Sequence, residues 1–315
     1  IAKFKRDNDL SYQRSQILVS TGAKQTLFNL CMAVVDPGDE VIIPSPYWVS
    51  YPDMVLLADA TPVILATTAA TRFKITPAQL EAAITPRTRM IFLNSPSNPS
   101  GMAYTKAELT ALGEVLRRYP NILIATDDMY EKILWTAEPY SNIINACPDL
   151  YERTIVIHAV SKTYSMTGWR IGWACGPAKL ITAMADIQSQ STSNPNSIAQ
   201  VAAEAALNGD QQCVEDMRVV FKRRHDKLVA DLNTIPGVSC LSGDGTFYVF
   251  PNVDGLMAKL GCKTDLELSD KLLNEALVAL VPGSAFGAPG HVRLSFATSE
   301  KVLDASVERL RAIAS

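Results

Sequence analysis

With 315 residues, 48% of them hydrophobic, the chain can bury a large core and form one big unit plus a smaller one. A formal net charge of −3, from 29 basic and 32 acidic residues, argues against a nucleic-acid-binding surface. No segment reaches the apolar length of a membrane span, no signal peptide is read at the first residues, and six scattered cysteines without CxxC spacing read as free thiols of a reducing, cytoplasmic compartment.

Residues 1–6 read as the last turns of a helix, followed by polar loop and a strand at 16–20. Thr21-Gly22-Ala23-Lys24-Gln25 then opens a helix with Leu27, Leu30, Cys31, Val34 and Val35 at its apolar positions. A strand, a small-residue turn and a helix N-terminus make an anion site, because free backbone N–H groups point outward there. Such turns are common, so this signal is weak alone.

Strands are expected at 40–44, 62–66 and 89–93, and helices at 51–58 and 105–119, the second with Thr105 as cap and Glu108 at capping-box spacing. Thr76-Pro77 starts another helix. Ser45-Pro46-Tyr47-Trp48 is an aromatic-rich loop, and Asn94-Ser95-Pro96-Ser97-Asn98-Pro99-Ser100-Gly101 a tight one. A strand at 121–126 ends in Asp127-Asp128-Met129-Tyr130. Carboxylates at the end of a buried strand are where parallel α/β sheets place ligands.

The β-branched run 154–160 predicts a buried parallel strand. Ser161-Lys162-Thr163-Tyr164-Ser165-Met166-Thr167-Gly168-Trp169-Arg170-Ile171-Gly172 follows, read as a glycine-containing loop between two strands. A lysine there is costly to bury unless paired or neutralised. Desolvation or a neighbouring cation would free its amine to attack a carbonyl. Ser161 and Arg170 suit an anion, the arginine bidentately.

Helices are expected at 178–188, 198–207 and 210–232, where Lys222-Arg223-Arg224 reads as a solvated face. Strands at 245–250, 276–281 and 292–296 and a helix at 299–314 complete the chain. Strand–helix alternation up to about residue 190 implies a mostly parallel sheet, followed by a smaller α+β unit. Three histidines, far apart in sequence, offer no metal constellation. Trp48, Asn98, Asp127, Tyr130 and the distant Arg293 each have an ordinary structural explanation when taken singly.

Together they resemble one family. Ser-Lys-x-Tyr-x-x-x-Gly-x-Arg-x-Gly at 161–172, Asn-x-x-x-Asn-Pro-x-Gly at 94–101, Asp-x-x-Tyr at 127–130 and Arg293 are similar to the class I, fold-type I aminotransferases that use pyridoxal 5'-phosphate. Ser45 to Pro52, Thr167-Gly168-Trp169-Arg170 and Val281-Pro282-Gly283-Ser284-Ala285-Phe286 narrow the resemblance to the bacterial aspartate and aspartate/prephenate subgroup.

The resemblance implies an α/β fold: a large domain, 1–220, with a mostly parallel sheet of seven strands, and a smaller α+β domain, 221–315. It also implies an N-terminal arm ahead of residue 1, and a cytoplasmic homodimer. By the same resemblance Lys162 carries pyridoxal 5'-phosphate as a Schiff base and moves the substrate proton. Asp127 keeps the ring nitrogen protonated, and Asn98 and Tyr130 meet the ring's phenolic oxygen. Trp48 stacks on the ring. Ala23, Lys24, Ser161 and Arg170 hold the phosphate. Arg293 clamps the substrate α-carboxylate, with Lys24, Trp48 and Asn98 as further substrate contacts.

Lys24 in this subgroup reaches the distal carboxylate of a dicarboxylic substrate, although it could merely balance phosphate charge. Two positions depart from the family pattern: Ala159 where a serine sometimes stands, and Ser100 where threonine is commoner. The expected activity is transfer of the amino group of aspartate to 2-oxoglutarate in a ping-pong cycle, with prephenate as a further substrate left open. An aminotransferase or β-lyase for another amino acid, and a cofactor-sensing regulator without its DNA-binding part, stay open as alternatives.

Overall fold

The computed structural model describes residues 1–315. Seven strands form the main sheet: β1 (Ile17–Ser20), β2 (Glu40–Ser45), β3 (Thr61–Ala66), β4 (Thr88–Asn94), β5 (Leu123–Asp127), β6 (Thr154–Ala159) and β7 (Gly172–Cys175). Their spatial order is β1-β7-β6-β5-β4-β2-β3. Only β7 runs against its neighbours β1 and β6; the other pairings are parallel. The central strands are β-branched and apolar on both faces, as a sheet covered by helices requires. Ile91, Ile124, Val156 and Trp173 fill the core on one face, and Phe92, Ala125, Ile157 and Ala174 the core on the other.

The smaller unit holds β8 (Tyr248–Val249), β9 (Val281–Pro282) and β10 (Val292–Ser295), in the order β8-β10-β9, all antiparallel. It has its own core, built on Leu228, Leu232, Leu268, Leu272, Phe296 and Leu310. Tyr130 and Ile133 from the large unit reach into that core.

Several expected elements differ in extent. Residues 276–280 are not strand: the N–H groups of Ala276 and Val278 close off the Asp265–Glu275 helix on the carbonyl of Leu272, and Leu277 turns with φ of 53°. That helix, and the one at Asp254–Leu260, were not anticipated. At 245–250 only Tyr248–Val249 pairs as strand, because the N–H groups of Gly245 and Thr246 are taken by the carbonyls of Gly101 and Ile133. Lys162 lies on a short helical turn, Val160–Thr163, rather than in open loop.

The turn after β5 is anchored away from the sheet's ligand edge. Asp128, fully buried, accepts the Thr126 hydroxyl at 2.6 Å and the Asn142 amide at 2.9 Å. Glu131 accepts from Lys3 and, at 2.8 Å, from Asn8, and faces His158 at 3.2 Å. Burial alone would raise the Glu131 carboxyl, yet Lys3 and His158 hold it well below the usual carboxylate range. The first helix, Ala2–Asn8, is thereby tied to this turn by a buried ion pair.

Removing one partner of such a pair leaves the other charge uncompensated, at a cost of about 3–5 kcal/mol. Glu131→Gln is therefore expected to lower the melting temperature sharply. An unchanged melting temperature would show that Lys3 needs no partner.

Candidate active site

Parallel strands deliver their carboxyl ends to one edge of the sheet, and the ligand chemistry collects there. Lys24 follows β1, Trp48 follows β2, Asn94 ends β4 with Asn98 just beyond it, Asp127 ends β5, and Ser161 and Lys162 follow β6. Residues 23, 24, 48, 98, 127, 130, 161, 162, 170 and 293 all line one cavity of about 320 Å³. Leu27, Asn94, Met129, Thr167 and Tyr248 complete its wall.

The cavity is electrostatically one-sided. Lys24, Lys162, Arg170 and Arg293 face it against the single carboxylate of Asp127. Asp127 is pushed up to about 6 by burial, against the Tyr51 hydroxyl, the Met129 N–H and the Lys162 charge, which all favour the ionised form. Tyr51 donates to its Oδ2 at 2.6 Å and stacks flat on Phe92, ring centroids 4.7 Å apart. Asn94 fixes the same strand end by donating to the Asp127 carbonyl at 2.9 Å.

The Lys162 amine is shifted below the ordinary lysine value by burial first, then by the charges of Arg293 and Arg170, with Asp127 opposing. Tyr130 is raised well above the usual phenol value by burial, and its ring lies edge-on to those of Phe247 and Tyr248.

The helix Ala23–Val34 points its N-terminus at the cavity. The N–H groups of Ala23 and Lys24 make no hydrogen bond within the chain. Two glycines create this opening. A Cβ on Gly22, which has φ of 85°, would sit 2.3 Å from Nη2 of Arg170. A Cβ on Gly172 would meet the Ala23 nitrogen at 2.3 Å. A guanidinium packed against a helix N-terminus with free N–H groups is suited to a phosphate.

Arg293 donates to Oδ1 of Asn98 at 2.9 Å. The Lys24 ammonium lies 4.9 Å from the Trp48 ring centroid, and Trp48 meets Tyr51 edge-on. The donor set thus fits pyridoxal 5'-phosphate: an anion cradle, a buried carboxylate and a lysine amine held below its usual pKa line one cavity. Tyr51 and Tyr248 were missed in the sequence, where nothing separates them from packing aromatics.

Comparison with known proteins agrees with this arrangement. The family model "Aminotransferase class I and II" matches residues 1–310. The aspartate/prephenate aminotransferase of Nitrosomonas europaea is 57% identical over 321 aligned residues, covering 100% of this chain and 81% of that protein. The crystal structure of the Rhizobium meliloti aspartate aminotransferase superposes with a TM-score of 0.95 at 48% identity, covering 99% of this chain and 79% of the other. That of the Thermus thermophilus aspartate aminotransferase with maleate superposes with a TM-score of 0.92 at 40% identity, with the same coverage, 99% and 79%. The chain belongs to the class I and II aminotransferase family, and its fold is the fold-type I architecture of those enzymes.

Because burial and two arginines favour the neutral amine, Lys162 should react with a small aldehyde at lower pH than an ordinary lysine. Reductive methylation of cofactor-free protein across pH, read at the Lys162 peptide by mass spectrometry, should give a midpoint below 10.5. Arg293→Met should move that midpoint upward. A midpoint at or above the ordinary value would contradict the desolvated, cation-flanked site.

Proposed function

We propose that the chain is an aspartate aminotransferase working with pyridoxal 5'-phosphate, and that it passes the amino group of aspartate to 2-oxoglutarate. The observation that carries this reading is the charge of the cavity: Lys24, Arg170 and Arg293 against one buried carboxylate, with the Lys162 amine held below its usual pKa in the same wall. Such a cavity suits a phosphorylated cofactor and a dicarboxylic substrate together. The relatives named aspartate or aspartate/prephenate aminotransferase support the substrate, as does the Thermus thermophilus structure with maleate, a dicarboxylate.

When bound, pyridoxal 5'-phosphate supplies an aldehyde carbon for amines and a ring that draws electrons from the substrate Cα. The residues of this chain do the rest. Arg170, the Ser161 hydroxyl and the N–H groups of Ala23 and Lys24 hold the phosphate. Asp127 keeps a proton on the ring nitrogen, while Asn98 and Tyr130 donate toward the ring hydroxyl oxygen. Trp48 covers the ring and excludes water.

Arg293 grips the substrate α-carboxylate through its guanidinium fork, which orients the Cα–H bond. Lys24 meets the distal carboxylate. Nζ of Lys162 would take the proton from Cα of the amino donor and supply one to Cα of the amino acid formed from the oxo acid.

The proposal extends to a boundary near residue 220 between cofactor and small domains, supported by Phe221, Leu228 and Leu232 of the Gln212–Leu232 helix joining the smaller core. It also includes a cytoplasmic homodimer; the six free thiols support a reducing compartment. Prephenate as substrate is a second reading, favoured by the name of the Nitrosomonas relative.

Lys162→Ala is expected to abolish transamination. Lys24→Ala should lower kcat/KM for aspartate by roughly ten- to a hundredfold, the worth of one charge-assisted hydrogen bond, and hardly affect alanine. Steady-state assays with both amino acids, and with prephenate as alternative acceptor, test this. Equal losses on aspartate and alanine would remove Lys24 from the substrate site.

A further inference from the structure

Arg293 is held in an unusual way. Its only side-chain hydrogen bond is the one to Asn98, and its Nε is buried without a partner. What fixes the guanidinium plane is a pair of aromatic faces. Its Cζ lies 4.3 Å from the ring centroid of Tyr248 and 4.9 Å from that of Phe286. The two rings come from either side of β10: Tyr248 from β8, and Phe286 from the turn that follows β9.

Phe286 is itself immobilised. It is 1% exposed, it meets Phe250 edge-on at 5.9 Å, and its carbonyl accepts the Tyr47 N–H at 3.0 Å. Phe250 in turn meets Phe73, which follows the β3 arm of the large unit, at 5.7 Å. Phe286 is absent from the cavity wall that Tyr248 and Arg293 share.

We propose that Phe286 is a positioning residue that acts through Arg293 and sets the strength of carboxylate binding. A second hydrogen-bonding partner would tie up the guanidinium donors. An aromatic face restrains the plane by cation–π attraction and leaves those donors free for a carboxylate. Without the ring, Arg293 can swing about its Asn98 bond, and the bidentate geometry is lost for part of the time.

This inference rests on the aminotransferase reading and is separable from it. The test uses the cofactor-loaded wild type, Phe286→Leu and Phe286→Met, two apolar side chains of similar size to each other that lack a ring. Calorimetry gives the Kd of succinate, a dicarboxylate with no amino group to react. Absorbance titration gives cofactor affinity.

Both variants should bind succinate roughly two- to thirtyfold more weakly, the range of one cation–π contact from exposed to desolvated, with cofactor affinity within about twofold. The KM for aspartate should rise with it, and kcat should fall by a smaller factor, because Arg293 also orients the Cα–H bond. Wild-type succinate affinity in either folded variant would overturn the proposal. Parallel loss of succinate and cofactor, or failure of both variants to fold, would show that Phe286 is packing only. A wild type that takes up no pyridoxal 5'-phosphate would instead overturn the aminotransferase reading, and this inference with it.

Discussion

Four cationic side chains facing one carboxylate across a cavity of about 320 Å³ is the constraint on which the molecule turns. Burial, and then the charges of Arg293 and Arg170, make the ammonium form of Lys162 costly, so it holds its proton more weakly than an ordinary lysine. More of Lys162 is thereby present as the free amine, the form able to act as nucleophile or base, and Lys24, Arg170 and Arg293 leave positive charge around it that suits anions. The anionic cofactor and dicarboxylic substrate proposed for the site would offset this concentration of positive charge.

The sheet is the device that brings these charges together. Its parallel strands deposit their carboxyl-terminal residues at one edge, so side chains as far apart as Lys24 and Lys162 converge without any long-range loop. The turn after β5 divides its residues by direction. Asp127 and Tyr130 face the cavity, whereas Asp128 and Glu131 are held by Thr126, Asn142, Lys3 and Asn8. One buried polar network thus fixes the turn from behind, and Tyr51 and Asn94 fix Asp127 from the front.

Much of this was legible in the sequence, for a physical reason. The lysine, serine and arginine of 161–172 are contiguous, so their shared chemistry shows without folding the chain. The strand-end residues Asp127, Asn98 and Trp48 are marked by apolar runs just before them. What escaped has no local signature. Tyr51 reads as an ordinary helix aromatic; only the fold puts its hydroxyl on Asp127, 76 positions away. Phe286 and Tyr248 flank Arg293 only because β8 and β9 pair with β10. Residues 276–280 look like a strand by composition, yet the end of the preceding helix takes the N–H groups of Ala276 and Val278.

Loading the chain with pyridoxal 5'-phosphate and adding aspartate without any oxo acid isolates the half of the reaction that this cavity is built to perform. One equivalent of oxaloacetate released per chain, with loss of the absorbance band that depends on Lys162, is the expected result. An unchanged spectrum with aspartate and with every other amino acid would contradict the reading of the cavity as the site of amino-group transfer.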